Sequence, residues 1–329
     1  MAVDLAVDQD GWQEFSKTEL DDLDSNIIDQ HTIDSSLELC NSNENNVLEK
    51  FLFDSLVLSG GGVKGIAHLG VIDYYKDQGR FSNEYVKEYV GTSVGSIICT
   101  LLMCDYTPWD IFSCIYKQKF AIPVLNIMTI LQDFGLFNID SIIECVREMI
   151  MTKYEKIPTM LELYQLTGKK LTITTTNIST YSPCYISYIT KPDLDIMTAI
   201  KMSCSIPLIF KRIDYQGEYF VDGGIVNNFP IDQVSRNCNN TLGIVLIDKQ
   251  VKSNNDNILS FIYKLSGLSV RLLTEKSCID NEQEILVISL DDIFSFDFGI
   301  EPDKKMDLLS KGYNIAKLFD SRKYIDIEV

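Results

Sequence analysis

The chain has 329 residues, 46% of them hydrophobic, which is enough apolar material for one large domain or two ordinary ones. Its formal net charge is −18, and residues 1–50 carry 13 acids against 2 bases. This balance argues against a nucleic-acid partner, whose phosphates it would repel, and gives no support to electrostatic docking on an anionic membrane.

Uninterrupted apolar runs fall short of the roughly 18 residues that a membrane span requires. Met1-Ala2-Val3-Asp4 opens acidic, without the basic and apolar segments of a signal peptide, so an intracellular location is expected (cytoplasm, or host cytoplasm for a viral chain). The nine cysteines are scattered and form no Cys-x-x-Cys pair, which favours reduced structural thiols over disulfides or zinc. No metal or other cofactor is expected. The chain holds two histidines, His31 and His68, so any mechanism that needs an imidazole must use one of them.

Residues 1–50 are rich in Asp, Asn, Gln and Ser and read as a flexible acidic leader, with a short amphipathic helix possible over Asp10 to Ile28. The folded domain is expected to span residues 51–329. Asp54 to Leu58 is a buried strand by its apolar, β-branched character. It runs into Ser59-Gly60-Gly61-Gly62-Val63-Lys64-Gly65, after which a helix begins at Ile66 and stops near Gly79. Val86 to Val90 is the next strand. It ends in Gly91-Thr92-Ser93-Val94-Gly95, and Ser96 to Met103 is a buried helix. This order predicts an α/β unit with a parallel sheet.

Further on, Pro108 opens a helix, residues 120–137 are strongly apolar, and Asp140 caps a helix through Met151. Thr159-Met160-Leu161-Glu162 is a capping box for a short helix that ends at Gly168. Lys170 to Thr176 is a strand with Cys184 to Ile189 as its neighbour, and Asp195 to Met202 is helical. Gly217 to Gly224 reads as a turn, a short strand and an Asp-Gly-Gly turn. Thr241 to Ile247 and Glu284 to Leu290 are strands, flanked by helices over about 256–275 and 303–319.

A serine between two glycines at a strand-to-helix turn has the pattern of a nucleophile elbow. The glycine loop after the first strand has three readings. As a dinucleotide fingerprint, Gly60, Gly62 and Gly65 match, but the next strand ends in Gly91-Thr92-Ser93 rather than in an acid for the ribose. A phosphate-binding loop needs lysine directly after its last glycine, and Ile66 stands there. An oxyanion hole needs only N–H donors beside a nucleophile, and it explains both loops with one site. No histidine follows residue 68, which excludes a triad with histidine last, as in α/β-hydrolases. A poorly solvated acid can serve as base instead. Asp222, at the end of a short apolar strand and before two glycines, is the best candidate; its plainer reading is a turn aspartate.

Gly60-Gly61-Gly62-Val63-Lys64-Gly65, Gly91-Thr92-Ser93-Val94-Gly95 and Asp222-Gly223-Gly224 resemble, in order, the three signatures of the patatin-like phospholipases. Ser203-Cys204-Ser205-Ile206-Pro207 and the Asn228-x-Pro230 pair are similar to further segments of that family. The resemblance implies a three-layer α/β/α sandwich around a mostly parallel sheet. It also implies a calcium-independent phospholipase A-type hydrolase with a Ser–Asp dyad. On it, Ser93 is the nucleophile and Asp222 the general base, supported by Gly91, Gly95, Gly223 and Gly224. The loop Gly60, Gly61, Gly62, Val63, Lys64 and Gly65 holds the oxyanion, with Lys64 at the family's basic position. The implied partner is a phospholipid or another acyl-ester lipid, met in transient contact with a membrane surface. Acyl transfer from the same acyl-enzyme and a non-catalytic lipid-binding module remain alternatives. The apolar stretch 120–137 fits a lid or acyl-chain wall and a buried helical layer equally well.

Overall fold

A computed structural model describes residues 52–117, 135–137, 139–247, 258–279, 284–290 and 299–327. The leader, the helix expected over Asp10 to Ile28 and most of the apolar stretch 120–137 lie outside the described residues.

β1 (Ser55–Leu58) is wholly buried, and a 3-10 turn over Gly62–Gly65 leads from it into α1 (Ile66–Asp77). β2 (Glu88–Thr92) passes through Ser93 into α2 (Val94–Met103). Then come α3 (Pro108–Lys117), β3 (Gly135–Phe137), α4 (Asp140–Tyr154) and α5 (Met160–Thr167). β4 (Lys170–Asn177), β5 (Ser182–Ile186) and α6 (Ile196–Cys204) follow. Three short strands, β6 (Leu208–Phe210), β7 (Ile213–Tyr215) and β8 (Glu218–Asp222), lead to the single turn α7 (Gly224–Asn227). The last elements are β9 (Thr241–Ile247), α8 (Ile258–Ile279), β10 (Glu284–Ser289) and α9 (Pro302–Ile327).

The main sheet has the order β10-β9-β1-β2-β4-β8-β7, with β5 also paired to β4. β10, β9, β1, β2 and β4 are mutually parallel, while β5, β7 and β8 pair antiparallel. The fold is α/β, with a mostly parallel sheet as expected. Side chains alternate across it. Leu56, Leu58, Tyr89, Leu242 and Ile244 join the larger core, whereas Val57, Val90 and Val245 pack with Phe229 and Ile231 on the opposite face. Both faces are covered, which is why these strands read as unbroken apolar runs. Each fully buried aliphatic side chain contributes about 1.5–3 kcal/mol.

α1 packs directly on α9. A Cβ on Gly70 would stand 2.0 Å from Leu309 O, and one on Gly312 would stand 2.1 Å from Ala67 O, so the two glycines let the backbones touch.

The expected capping box forms: Thr159 Oγ1 accepts from Glu162 N at 3.2 Å, and Glu162 Oε2 accepts from Thr159 N at 2.9 Å. Asp140, expected as a helix cap, is instead the first residue of α4, and its carboxylate pairs with Lys201 Nζ at 2.5 Å. The second strand of the Lys170 pair ends at Ile186 rather than Ile189. Beyond it Thr190 Oγ1 accepts from Ser187 N and closes a turn.

Candidate active site

The edge of β4 brings the site together. β2 runs parallel to that edge and ends with Thr92 opposite Thr174. β8 runs antiparallel to β4, with Asp222 opposite Thr175. β5 pairs with Ile173 to Asn177 and so occupies the other edge. The C-terminal ends of β2 and β8 therefore meet head to head, and Ser93 and Asp222 come together without any contact between their loops in sequence.

Ser93 has φ 53° and ψ −127°, a conformation that costs a residue with a side chain about 1–3 kcal/mol. The surroundings fix it. Ser93 N donates to Ser203 Oγ at 2.8 Å, and Ser203 Oγ donates to Thr174 O at 2.6 Å. Ser93 O accepts from Ser96 Oγ at 2.6 Å. The flanking glycines are needed for space, because a Cβ on Gly91 would meet the Gly95 backbone at 2.6 Å and one on Gly95 would meet Leu58 O at 2.4 Å.

Asp222 is tied down as firmly. Its N–H donates to Ser205 O at 2.9 Å, and its carbonyl accepts from Thr176 Oγ1 at 2.8 Å. Oδ1 accepts from Gly224 N at 2.7 Å, while Oδ2 has no hydrogen-bond partner among the described residues. Gly223 lies over Thr174 O, where a Cβ would come within 2.3 Å. Burial pushes the carboxyl up to about 6, against the opposing pull of the Ser93 hydroxyl and the Gly224 N–H. The hydroxyl is thus close enough to act on the carboxylate, yet no aligned bond joins it to Oδ2. Such contacts are often loose before substrate binds and tighten afterwards. Each residue keeps 6% of its surface exposed.

His68 is fully buried, and its Nε2 lies 3.0 Å from Ser59 O. A carbonyl can only accept, so Nε2 carries the proton. Nδ1 has no hydrogen-bond partner among the described residues, and burial holds the ring down at about 4. His68 is a neutral prop beneath the glycine loop.

The six-residue loop narrows as a donor set. Gly60 N already donates to Asn228 O at 3.2 Å, and Lys64 N to Gly61 O at 3.2 Å. The Lys64 ammonium is buried and donates to Leu290 O at 2.6 Å, at the end of β10. Gly65 sits where the 3-10 turn joins α1, and its missing Cβ makes room for Val94. Gly60 and Lys64 therefore have their N–H groups committed inside the protein, and Gly65 closes the 3-10 turn, whereas Gly61, Gly62 and Val63 show no backbone N–H partner among the described residues.

A cavity of about 100 Å³ opens beside Ser93. Gly62, Val63 and Ile66 form one wall, and Ile97, Ile115, Ile143, Val146, Ile206 and Phe210 extend it. Cys204 also lines it, and burial pushes that thiol well above its usual range, so it stays protonated. The eight cysteines among the described residues are all free thiols. Also among the described residues, no helix is long and apolar enough to cross a membrane.

Two contributors were visible in the sequence only as motif neighbours. Ser203 stood in a run of small residues before a proline, and Asn228 in an Asn-x-Pro pair. Neither pattern reveals which backbone groups they hold.

A model of the patatin-like phospholipase family matches residues 56–235, more than half of the chain. The chain is 28% identical over 275 residues to the probable lipid hydrolase 463L of Invertebrate iridescent virus 6, covering 79% of this chain and 89% of the viral protein. It is 26% identical over 264 residues to triacylglycerol lipase 4 of Saccharomyces cerevisiae, covering 65% of this chain and 27% of the yeast protein. Its fold is similar to that of VipD from Legionella pneumophila, with a TM-score of 0.51 at 18% identity over 82% of this chain and 67% of that one.

Proposed function

Because the chain belongs to the patatin-like phospholipase family, we propose that it is a phospholipase A-type acyl hydrolase working through a Ser93–Asp222 dyad. The supporting observation is the meeting of β2 and β8 on one edge of β4, which sets a strained serine beside a buried carboxyl with no imidazole between them.

Asp222 takes the Ser93 proton as Oγ attacks the ester carbonyl. The tetrahedral oxyanion turns toward the N–H groups of Gly61, Gly62 and Val63. Losing one such donor typically costs about 3 kcal/mol of transition-state stabilisation. The protonated Asp222 then gives its proton to the departing alcohol, leaving an acyl-Ser93 ester. Water, deprotonated by the same carboxylate, attacks that ester and releases the fatty acid and free serine. The acyl chain lies in the apolar cavity during both steps. The nucleophile, base and oxyanion donors in this scheme are all protein groups, and no step in it calls on calcium. Residues 51–329 form the catalytic domain, with the acidic leader outside it.

The test is fatty-acid release by the full-length protein from phosphatidylcholine vesicles and from monoacylglycerol micelles, with and without EDTA. Wild type releases fatty acid with or without the chelator, and Ser93→Ala releases none. Failure of the wild type on every ester, or activity surviving in Ser93→Ala, contradicts the proposal. Adding a labelled lysolipid acceptor separates hydrolysis from acyl transfer.

A further inference from the structure

Asn228 stands between the glycine loop and the Asp-Gly-Gly turn. A Cβ on Gly60 would lie 2.5 Å from Asn228 Oδ1 and 3.2 Å from Ser93 Cβ. A Cβ on Gly224 would lie 2.9 Å from Asp222 Oδ1 and 3.0 Å from Asn228 Oδ1. The Asn228 carboxamide therefore occupies space left by two absent side chains, one next to the nucleophile and one next to the base. The Asn228 carbonyl accepts the Gly60 N–H at 3.2 Å, so its backbone belongs to the loop. Its side chain is half-buried and makes no hydrogen bond within the described residues. Rotation about the last side-chain bond offers either the amide donors or the carbonyl acceptor to the same place.

Gly62 and Val63 line the cavity, and Gly60, Asn228 and Gly224 do not. An ester held with its acyl chain in the cavity and its carbonyl carbon at Ser93 Oγ keeps its alcohol portion outside that lining, where Asn228 stands beside the nucleophile. A polar, uncommitted amide fits a polyol there, and an apolar leaving group would leave it unpaired.

We infer that Asn228 is a specificity residue that hydrogen-bonds the glycerol portion of the substrate, on the leaving-group side of the ester. The inference rests on Ser93 being the nucleophile. It concerns which alcohol leaves, whereas the dyad determines whether any ester is cleaved.

The experiment compares kcat/KM for two esters of the same acyl chain, 1-monolauroylglycerol and p-nitrophenyl laurate, in wild type, Asn228→Ala and Asn228→Leu. The acyl cavity contributes equally to both esters and cancels in their ratio. The glycerol-to-aryl ratio is expected to fall about fivefold or more in both variants, the size of one lost hydrogen bond. Asn228→Leu keeps the bulk between the turns and decides the matter if Asn228→Ala does not fold. An unchanged ratio, with both rates falling together, would reduce Asn228 to a packing residue and overturn the inference. A wild type inactive on both esters would instead remove the nucleophile assignment and this inference with it.

Discussion

The backbone N–H of Ser93 donates to the hydroxyl of Ser203 at 2.8 Å, and that hydroxyl donates onward to Thr174 O at 2.6 Å. One side chain from the end of α6 thus binds the strained elbow to the strand edge that also carries Asp222. Ser203→Ala leaves the Ser93 N–H unpaired in a buried place, a loss of about 1–3 kcal/mol. Misplacing the nucleophile should also slow turnover, by roughly 10–100-fold. Thermal unfolding and steady-state kinetics read the two effects. Wild-type turnover in Ser203→Ala would mean that the elbow is held by other contacts.

Asp222 ties activity to pH. Burial raises its pKa to about 6, and a general base works only when ionised. The kcat/KM profile should therefore rise through about pH 6 and level off above it. Asp222→Asn should lower turnover by about 10²–10⁴-fold and remove that limb. An unaltered acid limb in the residual activity would assign it to another group.

The same group affects stability with a definite sign. The folded state holds the proton more tightly than the unfolded chain, so the protonated carboxyl favours the fold. That contribution is complete below about pH 4 and is lost as pH rises through about 6. Asp222→Asn should therefore match the wild type in acid and exceed it by about 2–3 kcal/mol near pH 8. Chemical denaturation of both proteins across that range measures the difference. A variant less stable than wild type at pH 8 would contradict the desolvated carboxylate.

Much of this arrangement is legible in the sequence, and the reasons are physical. The strands around Val57, Val90 and Val245 are buried on both faces, so their apolar runs are unbroken. The glycines of the elbow have no tolerance for a Cβ, so they appear as fixed motif positions. Other features depend on partners far along the chain. The Gly60 N–H is taken by Asn228, which no local pattern shows. Asp140 stands one residue inside its helix instead of at the cap, and Lys201, on another helix, meets its carboxylate. β3, β6 and β7 have three residues each, too few to display a period.

His68 offers a further test. It is neutral over the whole working range, and its side chain bonds the loop at Ser59 O. His68→Leu should lower kcat by loosening the loop yet leave the acid limb where it is. His68→Gln, which keeps an N–H donor, should recover part of the loss. A shifted limb in either variant would bring the imidazole into the proton transfer.

The α1–α9 contact is tested away from the site. Gly70→Ala drives a methyl into Leu309 O and should cost about 1–3 kcal/mol or more of stability. Turnover below the melting transition should stay at the wild-type level. A variant as stable as wild type would show that the two helices do not pack backbone to backbone.

The most direct measurement is peptide mapping after reaction with a fluorophosphonate, on wild type, His68→Gln and Asp222→Asn at pH 8. Ser93 should carry the adduct in wild type and in His68→Gln, and Asp222→Asn should label at least a hundredfold more slowly. An adduct on a different serine, or full-rate labelling of Ser93 in Asp222→Asn, would contradict a serine activated by a carboxylate alone.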